Sequence, residues 1–203
     1  MMIQKSIGAL HQRIVFQRRV LAIANAMKDY LLPGTVLDVG CGNGMISKWL
    51  MDLRSDVSII GVDTLLRPET FIPVLQYNGK DLPFDDNSFS AVLLVDVLHH
   101  ALNPGLVLKE CSRVSRDKIL VKDHFSESRY DAFILKFLDW VGNRHHGVVL
   151  PYNYFSRAEW EAILVKNNLR ENKRLEKIPG MYPFFFQNAI GERIQFMAEL
   201  SRL

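Results

Sequence analysis

One short run constrains this chain more than any other. Thr35-Val36-Leu37-Asp38-Val39 enters Gly40-Cys41-Gly42-Asn43-Gly44, and Met45–Leu53 follows. The first segment reads as a short buried strand and the last as a helix. Three glycines between them let the backbone turn tightly and let a ligand approach it closely. The helix N-terminus beyond offers unpaired N–H groups and partial positive charge. A second acidic residue, Asp63, closes the next apolar run, Val57-Ser58-Ile59-Ile60-Gly61-Val62-Asp63, 19 residues after Gly44. In an open sheet that position faces a ribose, whose two hydroxyls suit a carboxylate acceptor. Asp38 precedes the first glycine by two residues and the spacing is G-x-G-x-G. Both set this turn apart from the G-x-G-x-x-G of nicotinamide dinucleotide enzymes.

The same alternation continues downstream. Pro73–Tyr77, Ala91–Val95 and Lys118–Lys122 read as strands three, four and five. Asn103-Pro104 supplies an N-cap and a first-turn proline for a helix to about Ser115. Residues 64–72 contain Pro68 and leave room only for a short helix. Strands that are near-continuous apolar runs, alternating with helices, argue for a parallel sheet covered on both faces with right-handed crossovers. Past residue 125 the pattern changes. Arg129–Val141 reads as a helix, and Phe133, Phe137 and Trp140 at helical spacing are expected in the core. Gly142–Phe155 is a long loop rich in His and Tyr. Ser156-Arg157-Ala158-Glu159 is a capping box for a helix to about Asn168. Arg170–Ile178 reads as a strand. Ile194, Phe196, Ala198 and Leu200 alternate with Arg193, Gln195, Met197 and Glu199 as a final strand, although a helix also fits there.

The 203 residues, 48% hydrophobic and 23% charged, suit one globular domain over 1–203. Residues 1–32 read as an N-terminal helical cap and 125–191 as substrate-side insertions. Arg18-Arg19 before Val20–Ala26 imitates a signal peptide. Leu10, Ile14, Leu21 and Lys28, spaced by fours and sevens, instead describe an amphipathic helix. No apolar run approaches the roughly 20 residues of a membrane span. A net charge of +3 without a basic cluster argues against nucleic acid. Cys41 and Cys111 read as free thiols of a reducing cytoplasm.

Four ordered segments now carry a resemblance. Val36-Leu37-Asp38-Val39-Gly40-Cys41-Gly42-Asn43-Gly44, Gly61-Val62-Asp63, Leu82-Pro83-Phe84-Asp85-Asp86-Asn87-Ser88-Phe89 and Val95-Asp96-Val97-Leu98-His99-His100 resemble the class I S-adenosylmethionine-dependent methyltransferases, of the small-molecule, methyltransferase type 11 kind. The resemblance covers about residues 33–125. It implies an α/β fold: a Rossmann-like, doubly wound seven-stranded sheet, mostly parallel with an antiparallel last strand. It implies S-adenosylmethionine as cofactor and a small methyl acceptor, with a leaning toward an apolar one. Gly40, Gly42 and Gly44 would shape the turn beside the methionine, Asp38 would hold its amino group, and Asp63 would take the ribose hydroxyls. Asp81 and Leu82 would lie by the adenine and Val95 along the methionine, while α-helical residues Arg18 and Arg19 would close over the cofactor. Two departures stand out. Only ten residues separate Asp63 from Val74, which opens the adenine edge, and Val114-Ser115-Arg116-Asp117-Lys118 replaces the family's K-P-G-G turn.

The acceptor should meet residues beyond strands four and five. Positioning supplies much of the rate of methyl transfer, and a base is needed only for a protonated acceptor. Lys122-Asp123-His124 leaves a buried strand with three polar side chains. Asp139-Trp140-Val141-Gly142-Asn143-Arg144-His145-His146-Gly147 and Pro151-Tyr152-Asn153-Tyr154 have the composition of a binding loop. His124, His146 and Tyr154 are the candidate catalytic residues. His99 and His100 read as helix-start packing, with a base as the sharper alternative. The late aromatics Tyr182 and Phe184–Phe186 would line an apolar pocket, dock a second subunit or touch a membrane surface peripherally, so a monomer and a homodimer both stay open. No metal is expected: Asp96 and Asp123 lack a third ligand. The family's nucleic-acid members place an N-P-P-Y tetrad where this chain has Asp96-Val97-Leu98-His99. A non-catalytic, cofactor-binding scaffold is the alternative from another class.

Overall fold

The computed structural model describes residues 17–143, 151–181 and 194–203. A helix over 17–27 (α1) leads through a short 3-10 turn into β1 (Gly34–Val39). Then come α2 (Met45–Leu53), β2 (Val57–Asp63), β3 (Val74–Gln76), β4 (Phe89–Val95), α3 (Pro104–Val114), β5 (Ser115–His124), α4 (Arg129–Asn143), α5 (Arg157–Lys166), β6 (Leu169–Leu175) and β7 (Gln195–Arg202). The strands form one seven-stranded sheet in the order β3-β2-β1-β4-β5-β7-β6. β1 to β5 are parallel, and β7 runs antiparallel to both β5 and β6. The doubly wound sheet with an antiparallel last strand is therefore as expected.

The composition of each strand follows from its place. β4 lies between β1 and β5, so Phe89-Ser90-Ala91-Val92-Leu93-Leu94 is buried throughout and shows no alternation. One face of the sheet carries α3 and α5, with Leu108, Cys111, Trp160 and Leu164 packed on Val92, Val121 and Phe196. The other carries α1 and α2, with Ile23, Met27 and Leu50 packed on Val36, Leu93 and Leu120. Residues 64–73 contain no helix, so β3 reaches the sheet edge with three residues. β7 departs from its alternating pattern. Gln195 and Met197 are buried along with Phe196 and Ala198, because β7 is an interior strand whose second face lies under α1. The Ser156–Glu159 capping box is formed in both directions, a contribution of about 1 kcal/mol. Cys41 and Cys111 are unbridged.

One expectation is reversed. Phe133, Phe137 and Trp140 are not core: they are 70%, 55% and 49% exposed. Helical spacing tells which residues share a face but not which face meets the body. α4 turns Asp131, Leu135 and Asp139, spaced by fours, inward instead. All strand ends that matter for a ligand lie on one edge. Asp38 pairs in register with Leu93, Val39 with Val62, and Val95 with Lys122. Asp63, Gly40, Asp96 and Asp123 therefore follow one another along it.

Candidate functional site

The glycine turn is closed from the neighbouring strand. Gly40 and Cys41 N–H groups both donate to the Val62 carbonyl, at 2.8 and 3.2 Å. Gly40, Gly42 and Gly44 have φ of +70°, +60° and +74°, in the left-handed region. At Gly44, a Cβ would lie 2.3 Å from Ile72 Cγ1, so the residue is fixed by its fold neighbours. At Gly42 nothing among the described residues lies within 4 Å of that position; its side faces open space at the sheet edge. Gly42→Ala should therefore cost only the left-handed strain, about 1–2 kcal/mol of stability. A ligand lying on the turn should lose about tenfold in affinity, about 1.4 kcal/mol, beyond that. Calorimetry and thermal melts on one preparation separate the two losses.

Two carboxylates flank the turn. Asp63 Oδ2 accepts from Gly42 N at 2.8 Å, and Oδ1 accepts from Leu65 N at 2.9 Å. The carboxylate is thereby fixed, and each oxygen keeps a lone pair for a further donor, such as a diol. Asp38 is buried and accepts from Ser47 Oγ at 2.6 Å. Burial pushes its carboxyl up to about 7, against the opposing Ser47 hydroxyl. A cation placed beside it would draw out the proton. Val95 ends β4 half-buried beside the same edge. Asp81 is exposed with Asn78 Nδ2 on its carboxylate at 3.2 Å. Leu82 is buried in the core, and its N–H donates to Glu110 at 3.0 Å.

Beyond β4 and β5 lies a buried network of charges. Asp123 is fully buried and accepts from Leu98 N at 2.9 Å, from His124 N at 2.8 Å and from His99 Nδ1 at 2.6 Å. The other ring nitrogen of His99 lies 3.3 Å from Asp139 Oδ2. Burial opposes protonation of His99, but Asp123 and then Asp139 overcome it and hold its pKa up at about 10. His99 is thus an imidazolium shared by two carboxylates. Asp139 in turn accepts from the Tyr154 hydroxyl. Burial and that hydrogen bond raise the Tyr154 pKa far above its ordinary value, so Tyr154 stays a donor. Its ring stacks on His99 with centroids 5.4 Å apart.

The second half of the network faces α1. Asp96 takes a left-handed φ of 56°, a conformation that stores strain outside glycine and clusters at functional sites. It accepts from Lys122 Nζ at 2.6 Å and pairs with Arg19 of α1. Burial would raise the Asp96 carboxyl, but Lys122 and Arg19 hold it well below the usual carboxylate range. Lys122 Nζ also lies 3.3 Å from His124 Nε2. Burial and the Lys122 charge depress the His124 pKa and keep it neutral. Gln195 stands opposite His124 in the β5–β7 register, buried, its amide nitrogen and oxygen without a hydrogen-bond partner among the described residues. His99, Asp123 and His124 also have donor atoms within 4.8 Å of one another, as metal ligands would. The oxygens of Asp123 already accept from three N–H groups.

The structure thus brings His124 and Tyr154 together, with ring centroids 6.5 Å apart. His146 and the aromatics Tyr182 and Phe184–Phe186 lie outside the described residues. Lys122, Asp123 and His124 are buried at the strand end and none is a solvated loop start. The sequence reading took His99 as packing, weighed Asp96 only as a metal ligand and Asp139 only as part of a binding loop, and did not single out Gln195. For Asp139 a signal existed: Asp131, Leu135 and Asp139 form one helical stripe.

Residues 37–118 match the family model described as a methyltransferase domain. A ubiquinone/menaquinone biosynthesis C-methyltransferase of Cupriavidus necator is 28% identical over 142 residues, 61% of this chain and 58% of that protein. The match spans less than two thirds of that relative's length. Among solved structures, a chain of a Haloferax volcanii complex between a methyltransferase activator and a putative methyltransferase superposes with TM-score 0.71. It is 16% identical and covers 98% of this chain and 96% of that one. A geranyl diphosphate methyltransferase bound to S-adenosylmethionine gives TM-score 0.66 at 18% identity, covering 90% of this chain and 85% of that one.

Proposed function

We propose that the chain, whose residues 37–118 match a methyltransferase-domain model, is a class I S-adenosylmethionine-dependent methyltransferase and transfers a methyl group from that cofactor to a small, apolar acceptor. The observation that carries this reading is the Gly42–Asp63 pair: an open glycine beside a fixed carboxylate with lone pairs to spare. The donor set fits the cofactor. Asp63 suits the ribose diol, Asp38 the cationic amino group, and the open side of Gly42 the methionine chain, with Val95 alongside it. Asp81 and Leu82 border the adenine edge. The bound cofactor supplies a sulfonium-activated methyl, ready for in-line displacement.

The chain's own residues then position the acceptor. We assign to His124, which burial and the Lys122 charge keep neutral, the role of taking a proton where the acceptor is a hydroxyl or ammonium. Tyr154 donates and orients, held on Asp139. His146 remains a candidate from the sequence. The Cupriavidus relative is named for ubiquinone and menaquinone biosynthesis; the corresponding acceptor here is a ring with an apolar tail. Among the described residues no helix is long and apolar enough to cross a membrane, and two unbridged thiols suit the cytoplasm.

Incubation with methyl-labelled cofactor and a panel of quinol-type and other apolar acceptors tests the reading. Wild type should label a solvent-extractable product, Asp38→Ala should not, and His124→Gln should slow turnover while leaving cofactor affinity unchanged. Failure of wild type to bind the cofactor by calorimetry would overturn the reading.

A further inference from the structure

α4 is built the opposite way round from an ordinary surface helix, which turns its polar side to water. Its inward stripe is Asp131, Leu135 and Asp139, with Asp131 and Leu135 buried and Asp139 in the network described above. Its outward face presents Arg129, Tyr130, Phe133, Lys136, Phe137 and Trp140, all exposed. Exposed aromatics on one face mark an interaction surface rather than scattered surface apolarity. The face continues past the helix. Lys136 Nζ lies 5.7 Å from the centre of the Tyr152 ring. Asn153 then donates from its backbone to His99 O at 3.1 Å and from its side chain to Ala101 O at 2.9 Å. That brings the surface to Leu102, which is 87% exposed.

We infer that this face docks on an anionic lipid bilayer. Charge decides between occupants. Both acids of the described helix point inward, so the charges it exposes, Arg129 and Lys136, are basic. A second copy packed symmetrically would set these like charges against each other across the two-fold axis. Anionic headgroups neutralise them, while Phe133 and Phe137 enter the boundary between headgroups and acyl chains. Tyr and Trp side chains belong at that same depth. Docking through the outer face leaves Asp139, on the inner face, with His99 and Tyr154, and so places that network one helix away from the bilayer surface. The inference goes beyond the proposed reaction and rests on it only for the benefit of that placement.

Co-sedimentation of the full chain with vesicles tests it. Wild type should bind vesicles of phosphatidylcholine mixed with phosphatidylglycerol, more weakly in high salt, and bind pure phosphatidylcholine poorly. The double variant F133S/F137S should lose about tenfold or more in partition. K136E should lose several-fold, and V165S, at a residue exposed on α5, should bind as wild type does. Circular dichroism of each variant checks the fold. Equal binding by F133S/F137S and wild type, or no binding to anionic vesicles, would overturn the inference. So would binding that appears only after residues 1–16 are removed, which would assign the face to the chain's own segment. A wild-type dimer that F133S/F137S dissociates, without vesicle binding, would assign it to a second copy. Vesicle binding is read without methyl transfer, so failure of the proposed reaction leaves this result standing.

Discussion

His99→Leu is expected to remove about 3–5 kcal/mol of stability at neutral pH, because it leaves Asp123 a buried carboxylate without its cation. Asp123 would keep the Leu98 and His124 N–H groups, at 2.9 and 2.8 Å, but neither carries charge. Denaturant unfolding measures the loss. The double variant with Asp123→Asn should recover part of it, since a neutral amide still accepts from Leu98 N. A loss under about 1 kcal/mol would show that the pair contributes little beyond packing. The effect has a pH signature. The pKa of His99 stands at about 10 in the folded protein against 6.5 ordinarily. A raised basic group stabilises fully below its unfolded pKa, and the contribution is lost as pH rises through the folded value. Wild-type stability should therefore decline from pH 6.5 toward 10, and the gap to His99→Leu should narrow over that interval. Asp38, held at about 7 against 3.8, has the same sign in an earlier window: its contribution falls as pH rises from about 3.8 to about 7 and is level above that. Asp96 and Asp139 are depressed, the first by Lys122 and the second by His99, each against the opposing effect of burial. Their contribution is present above the ordinary carboxylate range and lost as pH falls through their folded values.

Asp63→Ala should weaken cofactor binding by about 1–3 kcal/mol, roughly 5- to 150-fold in Kd. Two effects combine. The ribose hydroxyls lose their acceptor, and the N–H groups of Gly42 and Leu65 lose the carboxylate that ties the turn to the end of β2. Calorimetry gives the affinity, and the melting temperature of the empty protein gives the structural share. An unchanged Kd would refute the ribose assignment. Asp63→Asn offers the intermediate case, keeping one carbonyl acceptor while losing charge.

The half of the molecule proposed for the cofactor was legible because it is written locally. Strand, glycine turn, helix and acidic strand end follow one another within about 30 residues, and each obeys a short-range rule. Met45–Leu53 and Val57–Asp63 run over the same residues in the sequence reading and in the fold. Pro68 and the short spacing left room for no more than a short helix over 64–72, and the fold has none there. The half proposed for the acceptor was legible only in composition. Lys122-Asp123-His124 announced polar chemistry, but its partners come from β4, α1, α4 and the 151–155 segment, up to about a hundred residues away in sequence. No periodicity specifies which distant acid meets which base. Gln195 shows the same limit: alternation assigned it to solvent, and its burial follows from β7 lying between β5 and β6.

By itself, then, the sequence specified a mostly parallel, doubly wound sheet and set Asp38, Gly42 and Asp63 together at one edge of it, because hydrophobic period, glycine stereochemistry and strand-end acids act over a few residues. Only the tertiary structure decided that His99 is an imidazolium between two carboxylates, that Asp96 is locked between Lys122 and Arg19, and that α4 shows its aromatics to the outside. Burial and long-range charge pairing set those three outcomes, and both depend on which elements the sheet order makes neighbours.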